Sequence, residues 1–78
     1  MMRVKIRAPR GADRSALDER GWASLPEGAT LRDALRLVRV NAVKAKLLLV
    51  SVNGERAKLD TPLSDGDVVG FFALVAGG

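Results

Sequence analysis

An unbroken apolar run near the end of the sequence, residues 68–75, leaves few choices for the fold. It follows a tight acidic turn, residues 65–67, and precedes a short tail, residues 76–78. A continuous apolar run of this length, bounded by turn residues, is typical of a buried strand. We therefore expect the run to lie in the middle of a sheet, with the remaining elements arranged around it.

The tail consists of Ala76, Gly77 and Gly78. A glycine pair carries the terminal carboxylate on a tether without side chains, which can enter a slot too narrow for other residues. Glycine also loses the most conformational entropy on ordering, so a glycine pair is a poor structural plug. We expect the carboxyl group of Gly78 to be the functional group. The plainer alternative is a frayed end.

Composition argues against catalysis by the chain's own side chains. The sequence has neither histidine nor cysteine, which removes the commonest general base, the commonest transition-metal ligand and any thiolate or disulfide. Seventy-eight residues allow one domain with a small core and little room for an internal active site. We expect a single domain over residues 1–78, with no enzymatic activity of its own, no metal and no bound cofactor.

Charge and hydropathy limit where the protein can be located and which partners it can bind. No apolar run approaches the roughly 20 residues of a membrane span, and the N-terminus lacks the apolar core of a signal peptide, so we expect a cytoplasmic protein without membrane contact. A net charge of +4 would permit a nucleic-acid partner. The basic residues, however, follow the solvated faces of a strand and a helix, and the three aromatic residues are too few for base stacking. We expect no nucleic acid.

The first third of the sequence predicts a hairpin. Residues 3–8 alternate between apolar and basic side chains, as in a half-buried strand that ends before Pro9. Residues 22–25 form a second strand, with Trp22 on the face away from the core, where it covers neighbouring aliphatic stems or marks a partner surface. The polar residues 10–21 between them predict a loop, with a turn of helix considered at residues 15–20.

The rest of the sequence predicts one helix and three strands. Thr30 is a good N-cap and Asp33 follows at the capping-box position, so an amphipathic helix is expected over residues 31–39. A buried strand at residues 47–52 ends at an Asn-Gly pair, the commonest signature of a tight hairpin turn. A short polar edge strand over residues 55–58, a connector and the apolar run complete the chain.

This order of elements predicts an α+β fold. One helix must cover one face of a four- or five-stranded mixed sheet, because the chain is too small for two helical layers. A hairpin, a crossing helix and strands that return beside the first define the β-grasp (ubiquitin-like) arrangement. The right-handed crossover places the last strand next to the first in the middle of the sheet. We expect residues 75–78 to form a flexible tail.

Four segments, taken in order, resemble the MoaD/ThiS family of ubiquitin-like sulfur carriers, which includes the molybdopterin synthase small subunit and the thiamine-pathway carrier. They are LPEGATLRDAL (25–35), VNGE (52–55), PLSDGDVV (62–69) and VAGG (75–78). The resemblance extends over nearly the whole chain.

The resemblance implies a carrier protein. In the family an ATP-dependent activating enzyme adenylates the terminal glycine carboxylate, matched here by Gly78, and a sulfur donor converts it to a thiocarboxylate. The implied partners are that enzyme, the sulfur donor and a recipient synthase subunit, and ATP is used by the enzyme alone.

The same resemblance implies an apolar docking patch near the tail, for which Phe72, Leu74 and Val75 are the candidates. The members that face away from the helix would form it, whereas Phe71 and Val69 are expected to be buried. The receiving pathway stays open, because Ala73 and Leu74 stand where molybdopterin synthase small subunits usually have a proline pair, while thiazole-pathway carriers usually have a shorter first hairpin. Two other functions remain as alternatives: a ubiquitin-like modifier joined to lysines, and a β-grasp module that binds RNA.

Overall fold

The order of secondary-structure elements is the one that the sequence predicts. The structure is a computed structural model, and it describes residues 1–40 and 48–73. The elements are β1 (Met2–Ile6), β2 (Trp22–Leu25), α1 (Leu31–Leu37), β3 (Leu48–Val52), β4 (Glu55–Arg56) and β5 (Val68–Ala73). No helix in this part of the chain has both the length and the apolar character that a bilayer crossing requires.

The five strands form one mixed sheet in the order β2-β1-β5-β3-β4. Strand β5 is parallel to β1, with Lys5 opposite Val68, and antiparallel to β3, with Val50 opposite Phe71. Backbone hydrogen bonds therefore hold β5 on both sides, as expected for the apolar run. The result is an α+β, β-grasp fold with five strands and one main helix, which confirms the prediction.

One face of the sheet packs against α1, and alternation along the strands decides which residues it contains. The buried residues of β1 are Met2, Val4 and Ile6, as the alternating pattern predicts. On β5, Val69 is completely buried and Phe71 is partly buried against the same core. The other face, which we call the outer face, carries the intervening residues of each strand.

Helix α1 begins where the sequence predicts but ends earlier. The Asp33 carboxylate accepts hydrogen bonds from the Thr30 amide at 2.8 Å and hydroxyl at 3.2 Å, which fixes the first turn. The last helical residue is Leu37 rather than residue 39. Arg39 has a φ of 56°, and the Val40 amide donates to the Leu35 carbonyl at 2.9 Å. This Schellman-type C-cap ends the helix.

The segment 10–21 contains turns and no helix, so the helical turn considered at residues 15–20 is wrong. Asp18 explains the difference, because its carboxylate accepts hydrogen bonds from the backbone amides of Arg20 and Trp22, both at 2.9 Å. Side chains that bind nearby amides in this way compete with helix formation. The Arg14 guanidinium adds contacts to the carbonyl oxygens of Ala8 and Pro9.

The hairpin of β3 and β4 has the predicted Asn-Gly turn, with φ values of 55° at Asn53 and 83° at Gly54. Strand β4 has two residues rather than the predicted four, because the chain turns at Lys58, whose carbonyl accepts from the Thr61 amide at 3.1 Å. Residue 47 of the predicted third strand and residues 74 and 75 of the predicted last strand lie outside the described residues.

Candidate functional site

The outer face of β5 carries the one described member of the predicted docking patch. Phe72 is 57% exposed, whereas its neighbour Phe71 packs against the core and Val69 is buried. The alternation that buries Val69 therefore presents Phe72 to solvent. Leu74, Val75 and the tail residues Ala76, Gly77 and Gly78 lie outside the described residues, so their predicted roles stay predictions.

The start of β5 is tied to the hairpin turn by Asn53. The Asn53 side-chain oxygen accepts a hydrogen bond from the Val68 backbone amide at 2.9 Å. The Asn53 backbone amide donates to the Val68 carbonyl at 2.7 Å. Its side-chain nitrogen donates to Asp67 Oδ1 at 2.9 Å. One side chain thus joins three segments, which fixes where β5 begins relative to β3.

The acidic turn before β5 is tied to β1 in the same way. Asp65 Oδ1 accepts from the Arg3 amide at 2.7 Å, and the Gly66 amide donates to the Arg3 carbonyl at 2.8 Å. The Lys5 amide donates to the Asp67 carbonyl at 2.9 Å. The acidic residues near the tail therefore act locally, by accepting backbone hydrogen bonds that hold the entry of the central strand.

A shallow groove of about 400 Å³ lies beside Phe72 on the outer face. Its lining comes from the residue after β1, from β3, from the hairpin turn and from β5: Arg7, Ser51, Asn53, Gly54, Val68, Gly70 and Phe72. Gly70 pairs with Ser51 across the strands, and a Cβ atom at Gly70 would lie 3.0 Å from Ser51 Oγ. The Ser51 hydroxyl therefore lies beside Gly70, and these two buried residues form the floor of the groove between Val68 and Phe72.

Basic side chains extend along β1 on the same face. Arg3 forms an ion pair with Asp18 at 2.9 Å, and its guanidinium carbon lies 5.7 Å from the centre of the Trp22 ring. This contact favours the interpretation of Trp22 as cover for a neighbouring side chain. Arg7 is exposed and borders the groove.

The carboxyl groups whose pKa values shift lie outside this site. The pKa of Asp18 is lowered mainly by the hydrogen bond from the Trp22 backbone amide. The Arg20 amide and the Arg3 guanidinium lower it further. Hydrogen bonds from the Ser15 hydroxyl and amide lower the pKa of Asp13. The Thr30 amide, followed by the Thr30 hydroxyl, lowers that of Asp33. Each carboxylate caps backbone amides, so these shifts record local structure rather than acid-base chemistry.

The sequence analysis did not identify three residues of the groove: Arg7, Ser51 and Gly70. Two signals were available, since a glycine inside a strand often marks a place where another chain approaches closely, and a serine interrupts an otherwise apolar strand at residue 51. Neither signal identifies a groove from the sequence alone, because only the strand register places Gly70 and Ser51 opposite each other. Within residues 1–40 and 48–73, no three His, Cys, Asp or Glu side chains are grouped so that they could hold a metal ion.

Comparisons with solved structures agree with this fold. The thiamine biosynthesis protein ThiS from Geobacter metallireducens has a TM-score of 0.62 and 22% identity, which speaks for the fold alone, and the match covers 99% of this chain and 100% of that one. A candidate molybdopterin converting factor, subunit 1, from Pyrococcus furiosus has a TM-score of 0.61 and 30% identity, over 95% and 97%. SAMP1 from Haloferax volcanii has a TM-score of 0.61 and 27% identity, over 99% and 98%.

A comparison with curated protein sequences gives no significant match. The family model, by contrast, covers most of the chain: that of the ThiS family matches residues 15–78, which include β2 to β5 and both terminal glycines. The chain therefore belongs to the ThiS family, within the MoaD/ThiS group of ubiquitin-like sulfur carriers that its sequence motifs resemble.

Proposed function

We propose that this protein is a sulfur carrier and that the carboxyl group of Gly78, converted to a thiocarboxylate, holds the sulfur atom that the protein delivers. The observation that supports this most strongly is the match to the ThiS family, which extends through Gly77 and Gly78. The recipient of the sulfur is a synthase of molybdopterin or of the thiamine thiazole.

The chemistry of such a carrier needs two steps, both supplied by partners. A carboxylate oxygen of Gly78 attacks the α-phosphorus of ATP in the activating enzyme, pyrophosphate leaves, and a mixed anhydride with AMP forms. Sulfide released by a sulfur donor then attacks the acyl carbon, AMP leaves with one of the former carboxylate oxygens, and the thioacid loses its proton to give a thiocarboxylate. The carrier needs no general base of its own, which is compatible with a sequence that lacks histidine and cysteine.

The folded domain contributes position rather than chemistry. Strand β5 is hydrogen-bonded to β1 and β3 along its two edges, and Asn53 fixes its first residue. The body thus holds a rigid strand that leads toward residues 74–78. Phe72 supplies an exposed apolar contact on that strand, as a docking residue for the activating enzyme together with Leu74 and Val75.

Intact-protein mass spectrometry tests the proposal. The protein is incubated with ATP, a sulfur donor and the activating enzyme from the same organism. We expect the mass to rise by the difference between one sulfur and one oxygen atom, and the rise to require ATP. The matched control lacks Gly77 and Gly78 and is expected to keep its mass.

Two outcomes would contradict the proposal. An unchanged mass with every activating enzyme of the organism would exclude a sulfur carrier. Covalent adducts of the whole chain on lysines of other proteins, without a sulfur-dependent rise in mass, would identify a ubiquitin-like modifier instead. Both functions begin with adenylation of Gly78, so the second step is the one that must be measured.

A further inference from the structure

We propose that the groove beside Phe72 receives one apolar side chain of the activating enzyme, and that Arg7 pairs with a carboxylate next to that side chain. This inference rests on the proposed function and concerns how the enzyme recognises the carrier. It assigns a recognition role to Gly70, Ser51 and Arg7, outside the predicted patch of Phe72, Leu74 and Val75.

The shape of the groove argues for a single inserted side chain. Val68, Gly70 and Phe72 point to the outer face at successive alternate positions of β5, so about 13 Å of strand separates the two larger side chains. Between them Gly70 has no side chain, and its partner Ser51 is 4% exposed. The groove of about 400 Å³ that results has apolar walls at Val68 and Phe72. It is large enough to hold a branched or aromatic side chain.

The charge of the groove argues for an acidic neighbour. Among the described residues that line it, Arg7 is a cation and none is a carboxylate. Within residues 1–40 and 48–73, neither Arg7 nor Lys5 takes part in an ion pair, whereas the charge of Arg3 is compensated by Asp18. Positive charge therefore remains beside the groove, where the chain leaves β1. A partner carboxylate there would speed association and fix the orientation of docking.

The enzyme's own kinetics provide the test. ATP–pyrophosphate exchange is measured against carrier concentration for the unmodified chain, Arg7→Glu and Arg7→Lys. Because a reversed charge would oppose the partner carboxylate, we expect Arg7→Glu to raise KM about tenfold or more with kcat unchanged, and Arg7→Lys to keep most of the affinity. The matched control is Arg32→Glu, which makes the same charge change on α1, on the opposite side of the sheet.

The groove itself is tested by filling it. Gly70→Ala places a methyl group on the floor, and the double change Gly70→Ala with Ser51→Ala also removes the oxygen that this methyl group would crowd. We expect the double variant to raise KM more than Ser51→Ala alone, because only the double variant fills the groove. Thermal melting of each variant separates a change of recognition from a loss of folding.

The outcomes distinguish this inference from the proposed function. If the unmodified chain is not a substrate, the sulfur-carrier proposal fails and the inference fails with it. If the chain is a substrate but Arg7→Glu behaves like Arg32→Glu, the carrier function stands and the groove is not the recognition site. Sedimentation that shows a dimer broken by Arg7→Glu would mean that a second copy of the chain fills the groove, which would also overturn the inference.

Discussion

Arg39 occupies a backbone conformation that suits glycine better than arginine. Its φ of 56° lies in the left-handed region, where the side chain crowds the following carbonyl. The Schellman-type C-cap requires this conformation, because Arg39 must turn the chain so that the Val40 amide reaches the Leu35 carbonyl. Its ion pair with Asp13 at 3.0 Å is exposed and offsets little of the strain.

We therefore expect Arg39→Gly to stabilise the protein by about 0.5 kcal/mol, since relief of the left-handed strain exceeds the added entropy of the unfolded chain. Urea unfolding at neutral pH measures the change. The matched control is Arg36→Gly, which removes the same side chain inside α1 and should destabilise by about 1 kcal/mol. A loss of stability in both variants would contradict this account of the C-cap.

Asp18 makes the stability of the first hairpin loop depend on pH. The Trp22 amide, first, and the other donors around the carboxylate lower the pKa of Asp18 in the folded chain relative to the unfolded chain. Its contribution is therefore complete above about pH 4, the unfolded value, and is lost as the pH falls through the folded value. Asp13 and Asp33 have pKa shifts of the same direction and add to this acid sensitivity.

We expect Asp18→Asn to lower the melting temperature at pH 7 and to approach the unmodified protein as the pH falls below about 4. Melting curves recorded at pH values from about 2 to about 7 measure the difference in melting temperature between the two proteins. Glu19→Gln is the control, because Glu19 takes part in none of the side-chain hydrogen bonds among the described residues, and it should change little. A difference that is independent of pH would mean that the charge of Asp18 does not matter.

Single residues show why some contacts could be predicted from the sequence and others could not. The turn at Asn53 and Gly54 is a local pattern of two neighbours, so it was predictable. The Asn53 side chain accepts a hydrogen bond from the Val68 amide and donates one to Asp67, and these partners lie 15 and 14 positions away in the sequence. The same limit applies to Gly70 and Ser51, since only the register of β3 and β5 brings them together.

At the scale of elements, the two faces of β5 have different roles: one packs in the core and the other is exposed to solvent. Val69 is completely buried against α1, while Phe72 is 57% exposed on the outer face. We expect Val69→Ala to destabilise by about 2 kcal/mol because it leaves a cavity in the core. Phe72→Ala should cost less than about 1 kcal/mol, because no core contact is lost.

The measurements that separate these effects are unfolding in urea and the KM of adenylation. Val69→Ala should change the first with little effect on the second at a temperature where it stays folded, and Phe72→Ala should do the opposite. Equal destabilisation by the two variants would mean that Phe72 is a core residue. An unchanged KM for Phe72→Ala would remove it from the docking surface.

The elements were predicted to the extent that their signals are local. Alternation identified β1 and β2, a capping box identified the start of α1, and an apolar run identified the central strand β5. The conformation of the loop between β1 and β2 was harder to predict. Asp18 binds the Arg20 and Trp22 amides there, and no periodic sequence pattern indicates such a contact. The end of α1 was misplaced because arginine, rather than glycine, occupies the left-handed position that follows the C-cap residue Val38.

At the scale of the whole molecule, stability and proposed function are assigned to different parts of the chain. The core consists of residues from β1, β2, α1, β3 and β5, together with Ala29, Val38, Val40 and Leu63 from the connectors. The proposed chemistry takes place at Gly78, beyond the last residue of β5. The two can therefore be changed independently.

We expect that one alanine added after Gly78 abolishes the sulfur-dependent rise in mass, because the glycine carboxyl group becomes a peptide bond and can no longer attack ATP. The melting temperature should stay the same, since the core residues are untouched. The matched control adds one alanine before Met1, which is 82% exposed, and should leave both measurements unchanged. A large drop in melting temperature with the C-terminal addition would mean that the tail belongs to the folded core, and the division of the molecule into a stable body and a reactive end would then be wrong.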